Sequence, residues 1–348
     1  MIEFYTNDYG TTCQPEILAA LQASAGGSFA GYGLDTVSER AAELFRELCA
    51  APDAAVHFLP GGTGTNSFFI AAALKPYEAV ISPLSGHIQV HETGAVEAHG
   101  RKILTVETGF DGKLTDAQFP EIKRLVAFHG DEHMVKPAML YISQTTERGG
   151  VYSLAELKAL RSLCDELGLY LFVDGARLAV ALEAEEADVS LPDLARLSDA
   201  FYFGGTKAGL LYGEALMVLR PELNDHLRYH MKRSGQMMAK GFNLGIQFEA
   251  FFEQALYVKA GKQAMQAARS LSQALVEAGY QLTTEAVSNQ IFVTVHPEEG
   301  KRLEAAFGAE RTAVLSETEE VRRFVTHWQS PQDAGELLQR YLQLKEGE

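Results

Sequence analysis

Short apolar runs alternate with amphipathic segments between about residues 50 and 220, and this alternation limits the possible folds more than any other feature. One amphipathic segment, residues 153–168, has leucines at helical spacing and a possible capping-box pair, Ser153 and Glu156, at its start. Strands that are apolar throughout are typical of parallel sheets with helices on both faces. The pattern therefore predicts an α/β fold with a mostly parallel central sheet, whose strands fall at residues 54–59, 79–82, 102–106, 138–143, 170–174 and 200–203.

The pattern changes after residue 220. Residues 221–245 are polar and rich in methionine, and the remainder predicts a small α+β domain that a long helix joins to the large one. The predicted elements are a helix from about Phe248 to Gly279, a strand at 290–295, a helix from about Glu298, a strand at 321–326 and a last helix to Leu344. We divide the chain into an N-terminal segment (1–15), a large domain (16–245) and a linking helix with a small C-terminal domain (246–348).

The charge balance excludes several classes of partner. The chain of 348 residues has 30 Lys and Arg against 46 Asp and Glu, a net charge of −16, so it lacks the basic surface of nucleic-acid and anionic-membrane binders. Its three cysteines, Cys13, Cys49 and Cys164, form no C-x-x-C pair, which argues against a disulfide framework or structural zinc. No signal peptide or membrane-spanning apolar run is visible. We predict a soluble, cytoplasmic protein without a bound metal.

The turn after the first predicted strand, Pro60 to Asn66, is rich in glycine and leads into a helix. Free N–H groups at a helix N-terminus bind phosphate well, so Gly62 and Thr63 are candidate phosphate ligands. The turn matches neither a Walker A loop nor a G-x-G-x-x-G fingerprint, which disfavours a nicotinamide dinucleotide. A tight connection without a ligand is the alternative.

Two later strands also end in polar residues, where open α/β sheets bind their ligands. Asp174 closes the strand at 170–174 with Arg177 three residues on, and the pair predicts either a carboxylate for a protonated ring nitrogen or an internal ion pair or helix cap. Lys207 stands in a glycine-rich loop after the strand at 200–203. A desolvated lysine attacks carbonyl carbon, whereas a solvated loop lysine has no such role.

His87 and His91 lie four residues apart after the strand at 79–82. A zinc site would need a further ligand at metal spacing, and none is present nearby. His87 is therefore either a functional side chain or a partly buried capping residue.

In combination, a phosphate cradle, a carboxylate at a strand end and a lysine at a later strand end match the needs of pyridoxal 5′-phosphate (PLP). These motifs, with Asn7-Asp8, Glu92-Thr93-Gly94-Ala95 and Arg323-Phe324-Val325-Thr326, resemble the threonine aldolase/β-eliminating lyase family of fold type I PLP enzymes. The resemblance covers nearly the whole chain and implies that family's transferase-like fold.

The resemblance also implies residue roles. Lys207 would bind the cofactor covalently, Asp174 would hold the ring nitrogen, and His87 would stack on the ring. Gly62 and Thr63 would bind phosphate. Arg177 would contact the phenolic oxygen or the substrate carboxylate, Arg323 would clamp that carboxylate, and Asn7 stands where many members have a small hydroxyl residue.

The implied activity is cleavage of the Cα–Cβ bond of L-threonine, L-allo-threonine or a related β-hydroxy-α-amino acid to glycine and an aldehyde, with His87, His91 or water as the base. Alternatives are β-elimination on an aromatic or sulfur-containing amino acid, and a non-catalytic PLP-fold binding protein. The segment Gln144 to Arg148 lacks the histidine by which well-studied members recognise the β-hydroxyl group. The family implies a homodimer or homotetramer with shared active sites, in which Arg233 or Lys240 would reach a neighbour's phosphate.

Overall fold

The computed structural model describes residues 5–333, 335, 336 and 338. The end of the predicted last helix, up to Leu344, lies outside the described residues.

The central sheet has seven strands in the order β1-β7-β6-β5-β4-β2-β3. Only β7 runs antiparallel to its neighbours, and the other strands share one direction. The mostly parallel α/β sheet is thus confirmed with all six predicted strands, and β7 is one that we did not predict. The strands are β1 (Ala55–Leu59), β2 (Glu78–Pro83), β3 (Lys102–Val106), β4 (Lys136–Ser143), β5 (Tyr170–Asp174), β6 (Ala200–Gly204) and β7 (Glu214–Val218).

Helices surround this sheet. The helices that precede β7 in the chain are α1 (Pro15–Ala23), α2 (Thr36–Leu48), α3 (Gly62–Ala73), α4 (His87–Val90), α5 (Ala95–Ala98), α6 (Phe119–Phe128), α7 (Leu154–Leu167), α8 (Leu178–Ala181) and α9 (Leu191–Leu197). The helices that follow β7 are α10 (Leu227–Arg233), α11 (Phe242–Glu253), α12 (Leu256–Glu277) and α13 (Pro297–Phe307). Over the described residues, none of these helices has the length and apolar character that crossing a membrane requires.

Both faces of the sheet are buried, as the apolar strands predict. Along β5, Leu171 and Val173 belong to one apolar cluster, and Phe172 between them belongs to another. Successive side chains of a strand point to opposite faces, so the two clusters lie on the two sides of the sheet. Polar groups are consequently concentrated where the strands end.

Local signals set the ends of some helices, and packing sets others. α7 begins at the predicted capping box, in which the Glu156 carboxylate accepts from Ser153 N at 2.8 Å. The single helix that we predicted from Phe248 to Gly279 is wrong, because Ala255 adopts a left-handed conformation (φ 50°) between α11 and α12. α11 packs on α2 and α12 on α8, and these contacts override the helical propensity of the sequence.

A second, antiparallel sheet follows α12, with the order β10-β11-β9-β8. Its strands are β8 (Gln281–Leu282), β9 (Gln290–Val295), β10 (Glu310–Val314) and β11 (Glu320–Val325). The N-terminal segment joins this sheet, since Val325 N donates to Tyr5 O at 2.8 Å. The segment is thereby held beside β11, the strand that contains Arg323.

The ends of β5 and β6 approach each other closely at Gly175. Gly204 N donates to Gly175 O at 2.9 Å, and a Cβ at Gly175 would collide with the carbonyl oxygen of Tyr202. Because that oxygen is part of a buried strand, it cannot move aside. We expect Gly175→Ala to lower the free energy of unfolding by about 1–3 kcal/mol in urea denaturation.

Gly61→Ala is the matched control for this substitution. It also lies in a turn after a strand, but its backbone is extended (φ −177°) and no atom lies within 4 Å of the added Cβ. We expect a change below about 1 kcal/mol there. Equal losses in the two variants would contradict the close-approach argument.

Candidate active site

The predicted site residues meet at one edge of the central sheet. Gly62 follows β1, His87 follows β2, Asp174 ends β5 and Lys207 follows β6. These four strands run in the same direction, so their carboxyl ends lie at one edge. Glu214, the first residue of the antiparallel β7, lies at this edge too, since it pairs with Gly204.

Asp174 is buried, and its carboxylate accepts hydrogen bonds from three side chains and one backbone N–H group. Its Oδ2 accepts from Asn66 Nδ2 at 2.9 Å and Tyr141 Oη at 2.7 Å, and its Oδ1 accepts from Tyr202 Oη and from Ala176 N at 3.0 Å. Burial alone would raise the pKa of Asp174, but the nearby His87 and the donated hydrogen bonds outweigh it and lower the pKa. Asp174 is therefore an anion at neutral pH despite its burial.

His87 belongs to the same network. Its Nδ1 lies 2.8 Å from Glu92 Oε1, which also accepts from Asn66 Nδ2 at 2.8 Å. Burial would lower the pKa of His87, but the hydrogen bond to Glu92 and the charges of Asp174 and Glu147 raise it. The chain His87–Glu92–Asn66–Asp174 thus favours the protonated form of the imidazole, beside two carboxylates.

Replacing Glu92 with glutamine should return the pKa of His87 toward or below its ordinary value, because the opposing charge is removed while burial remains. A titration of the His87 ring resonances by NMR measures the shift. With its pKa raised on folding, His87 stabilises the fold below the ordinary histidine pKa, and that stabilisation is lost as the pH rises through the folded value. The variant should therefore lose this acid-side stability. An unchanged His87 titration would contradict the Glu92 pairing.

Lys207 lies in a 3-10 turn, Thr206–Ala208, between β6 and β7. Burial and the charge of Arg177 lower its pKa, so the neutral amine is more accessible than in a solvated lysine. Glu214 lies nearby, where its Oε1 accepts from Thr206 Oγ1 at 2.9 Å and its buried Oε2 has no partner among the described residues. Burial raises the pKa of Glu214 to about 8.

Arg177 forms an ion pair, but not with Asp174. Its Nε lies 2.7 Å from Asp8 Oδ2 and its Nη2 3.2 Å from Asp8 Oδ1, and Asn289 Nδ2 also donates to Asp8 at 3.0 Å. Asp174 does not cap a helix either, because Arg177 is the residue that precedes α8. Both structural alternatives for Asp174 are therefore wrong, and Asp8 joins the N-terminal segment to both sheets.

Arg323 lies on β11, where its Nη2 is 2.8 Å from Glu310 Oε2 and its Nη1 3.4 Å from Gln290 Oε1. Its Nε is buried and has no partner among the described residues. A buried guanidinium N–H without an acceptor is costly, so this donor is suited to an anionic ligand. Arg323 borders a cavity of about 590 Å³ whose other walls include Ser85, His91, Phe110, Glu147 and Phe292.

The phosphate-binding candidates begin α3. Gly62 and Thr63 are its first two residues, with free N–H groups at the helix N-terminus, and the space beside Gly61 is open. At Gly64 the Gln236 side chain fills the corresponding space. Asn7 Oδ1 accepts from Tyr9 N at 3.0 Å, while Arg233 and Lys240 are exposed.

The sequence analysis assigned no role to several members of this network, although two of them lie in the motifs of the resemblance: Asp8, Asn66, Glu92, Tyr141 and Tyr202. A signal existed for Asn66, which stands just before the apolar part of helix α3, where a buried amide needs polar partners. The partners themselves are distant in sequence and follow only from the strand order. Among the described residues, no three His, Cys, Asp or Glu side chains are grouped to hold a metal ion.

An ionised buried carboxylate, a lysine of lowered pKa and a helix N-terminus at one sheet edge define a PLP-dependent enzyme of fold type I. A Thermus thermophilus aspartate aminotransferase variant shares this fold, with a TM-score of 0.72 at 15% identity over 97% of this chain and 90% of that one. The beta-eliminating lyase family matches residues 7–298.

Curated and solved relatives narrow the class. The low specificity L-threonine aldolase of Pseudomonas aeruginosa is 32% identical over 84% of this chain and 83% of its own. The threonine aldolase of Leishmania major has a TM-score of 0.93 and 39% identity, over 97% of this chain and 98% of that one. The chain belongs to the threonine aldolase/β-eliminating lyase family, whose members depend on PLP.

The residues present fit that cofactor. Asp174 stays ionised, as a partner for a protonated ring nitrogen must, and Lys207 has the lowered pKa of an amine that attacks an aldehyde. The open space at Gly61 beside the start of α3 leaves room for a phosphate. The fit thus rests on the donors and acceptors of this chain as well as on the likeness.

Proposed function

We propose that the protein cleaves the Cα–Cβ bond of L-threonine, L-allo-threonine or a related β-hydroxy-α-amino acid to give glycine and an aldehyde. The observation that carries the proposal is Arg323, which borders a cavity at the edge where the site residues meet and whose Nε has no partner among the described residues. A guanidinium there suits the α-carboxylate of an amino acid. The names of the relatives in Pseudomonas aeruginosa and Leishmania major support the reaction.

In this proposal each residue acts at a stated group. Lys207 binds the cofactor covalently, and Gly62 and Thr63 bind its phosphate. Asp174 keeps the ring nitrogen protonated, and His87 packs on the ring as a cation held by Glu92. Bound PLP supplies an electron sink for the electron pair that is left when the Cα–Cβ bond breaks.

The remaining proposed roles concern the substrate. Arg323 binds the α-carboxylate, and Asn7 lies in the N-terminal segment that Asp8 holds at the site. Arg177 contacts the phenolic oxygen or the carboxylate while Asp8 fixes its guanidinium. An arginine held on one side by a carboxylate keeps its geometry for a ligand on the other.

Product analysis tests the function. The PLP-loaded protein is incubated separately with L-threonine, L-allo-threonine and L-phenylserine, and glycine and aldehyde are measured. Equal amounts of the two products are expected from at least one substrate. Pyruvate and ammonia from an aromatic or sulfur-containing amino acid would favour β-elimination instead. A loaded protein that is silent across the panel would favour a binding role.

We propose further that the protein is a homodimer or homotetramer with shared active sites. Large apolar side chains are exposed around the segment of Arg233 and Lys240, among them Tyr32, Leu34 and Tyr229. Exposed aromatic and arginine side chains are typical of interfaces. A phosphate bound by a chain of net charge −16 also needs a nearby cation, which a second copy would supply.

Arg233→Ala and Lys240→Ala test the shared site. At least one should weaken PLP binding about tenfold or more, because a charge-assisted contact to the phosphate is lost. Arg269→Ala, which removes an exposed arginine of α12, is the control and should bind PLP normally. Full affinity in both variants would exclude this contact, and an active monomer in light scattering would exclude the assembly.

We propose a cytoplasmic location, because Cys13, Cys49 and Cys164 are all free thiols, as expected in a reducing compartment. Cell fractionation with a compartment marker tests it. Recovery outside the cytoplasmic fraction would contradict it.

A further inference from the structure

We propose that His91 is the base that takes the proton from the substrate's β-hydroxyl group, an inference that rests on the proposed aldol cleavage. His91 follows the short helix α4 and borders the same cavity as Arg323 and Glu147. The residue is only partly exposed, and neither ring nitrogen has a hydrogen-bond partner among the described residues. An unpaired imidazole on the wall of the substrate cavity is free to accept a proton.

The other titratable groups at the site are less able to act as this base. His87 is less free to take up a proton, because Glu92 lies 2.8 Å from Nδ1 and raises the pKa of His87, which favours the form that already carries the proton. Burial and the charge of Asp174 raise the pKa of Glu147, which lies 2.6 Å from Ser143 Oγ. Lys207 is committed to the cofactor in the proposed function.

A hydrogen bond also engages Glu147. Ser143 Oγ donates to Glu147 Oε1 at 2.6 Å, and Tyr141 Oη lies 3.1 Å from Ser143 Oγ. Glu147 Oε1 thus already accepts a hydrogen bond from a neighbour, whereas the ring nitrogens of His91 have no partner among the described residues.

The surroundings keep His91 neutral until substrate binds. Burial lowers its pKa, and the positive charges of His87, Arg323, Arg177 and Lys207 lower it further, to about 4. The other charged groups around the cavity are Glu107, Glu147, Arg148, Glu310 and Arg311. An α-carboxylate bound at Arg323 offsets one of these positive charges, so substrate binding itself makes His91 a stronger base.

The proton balance of the step is complete. The β-hydroxyl proton passes to the free ring nitrogen of His91, and the oxygen's electron pair forms the aldehyde carbonyl as the Cα–Cβ bond breaks. The electron pair of that bond would stay with the glycine fragment, for which PLP would supply the electron sink, and Cα then takes up one proton to give glycine. His91 returns the β-hydroxyl proton to water and water supplies the proton at Cα, so the protons balance over the turnover.

The first test needs no cofactor. The ring resonance of His91, assigned by its disappearance in His91→Asn, is followed by NMR from pH 8 to pH 4 in the PLP-free protein. We expect no titration above about pH 5, whereas the His87 resonance titrates above the ordinary histidine range. A His91 ring that is already protonated at neutral pH would overturn the proposal.

The second test separates the base from a structural role. In PLP-loaded His91→Ala, kcat for cleavage should fall about 10²–10⁴-fold. Exchange of the glycine α-proton with deuterium oxide should persist, because that reaction involves no β-hydroxyl group. Added imidazole should restore part of the cleavage rate. His99→Ala, which removes another exposed histidine, should cleave normally.

Two outcomes of this second test would overturn the inference: full cleavage activity in His91→Ala, or an equal loss of cleavage and of α-proton exchange. Failure of the proposed function looks different, because the unmodified protein itself would then release no glycine and aldehyde. In that case the NMR titration still decides whether His91 is a neutral base.

Discussion

Replacing Lys207 with alanine is expected to abolish the absorbance band of covalently bound PLP and to reduce lyase activity below detection. Lys207 lies in the described site with a lowered pKa, beside Asp8, Asp174 and Glu214, which contribute to its electrostatic surroundings. Alanine has no amine, so the cofactor can only bind non-covalently. Absorbance spectra of the purified protein with added PLP measure the first effect and product release the second.

Lys158→Ala controls for the loss of a positive charge, because Lys158 is exposed on α7 and far in sequence from the site. That variant should keep both the spectrum and the activity. If Lys207→Ala kept the unmodified spectrum, the assignment of the cofactor lysine would be wrong.

Replacing Asp174 with asparagine should lower kcat by about 10²–10³-fold while PLP stays covalently bound. The substitution conserves shape and removes the buried charge that, in the proposed function, keeps the ring nitrogen protonated. Asparagine also presents an NH₂ group to Asn66, Tyr141 and Tyr202, which donate to the carboxylate. At least one donor is then left unsatisfied, at a cost of about 1–3 kcal/mol in unfolding free energy.

Asp53→Asn, at an exposed turn, removes one negative charge from the surface and should leave kcat and the free energy of unfolding unchanged. The diagnostic result is a loss of kcat in Asp174→Asn with the bound-cofactor spectrum preserved. Unimpaired turnover in that variant would mean that Asp174 does not act on the ring nitrogen.

Much of the fold could be predicted because each strand of the central sheet is buried on both faces and reads as a continuous apolar run. We did not predict β7 because its apolar run, Ala215 to Val218, is short and follows a glycine-rich loop without an intervening helix. We did not predict the break between α11 and α12 because no glycine or proline marks it at Ala255. In both places contacts distant in sequence decide the structure, and local patterns do not report them.

The candidate site also has a part that the sequence predicts and a part that it does not. Lys207, Asp174, His87, Gly62 and Thr63 stand at strand ends, and a βα pattern predicts that such positions share one edge. The partners that set their protonation, such as Glu92 for His87 and Asp8 for Arg177, depend on side-chain approach across different elements. Their residue types were visible in the sequence, but the contacts were not.

The position of β1 has a consequence for how the enzyme is made. In the described sheet, β1 is the outermost strand on one side and pairs only with β7, with Ala55 opposite Val218. During synthesis, β1 leaves the ribosome long before β7, the strand with which it pairs. We therefore expect the start of α3, which follows β1, to reach its final position only after β7 has been made. Until then an apolar strand lacks its neighbour, a state that is prone to aggregation.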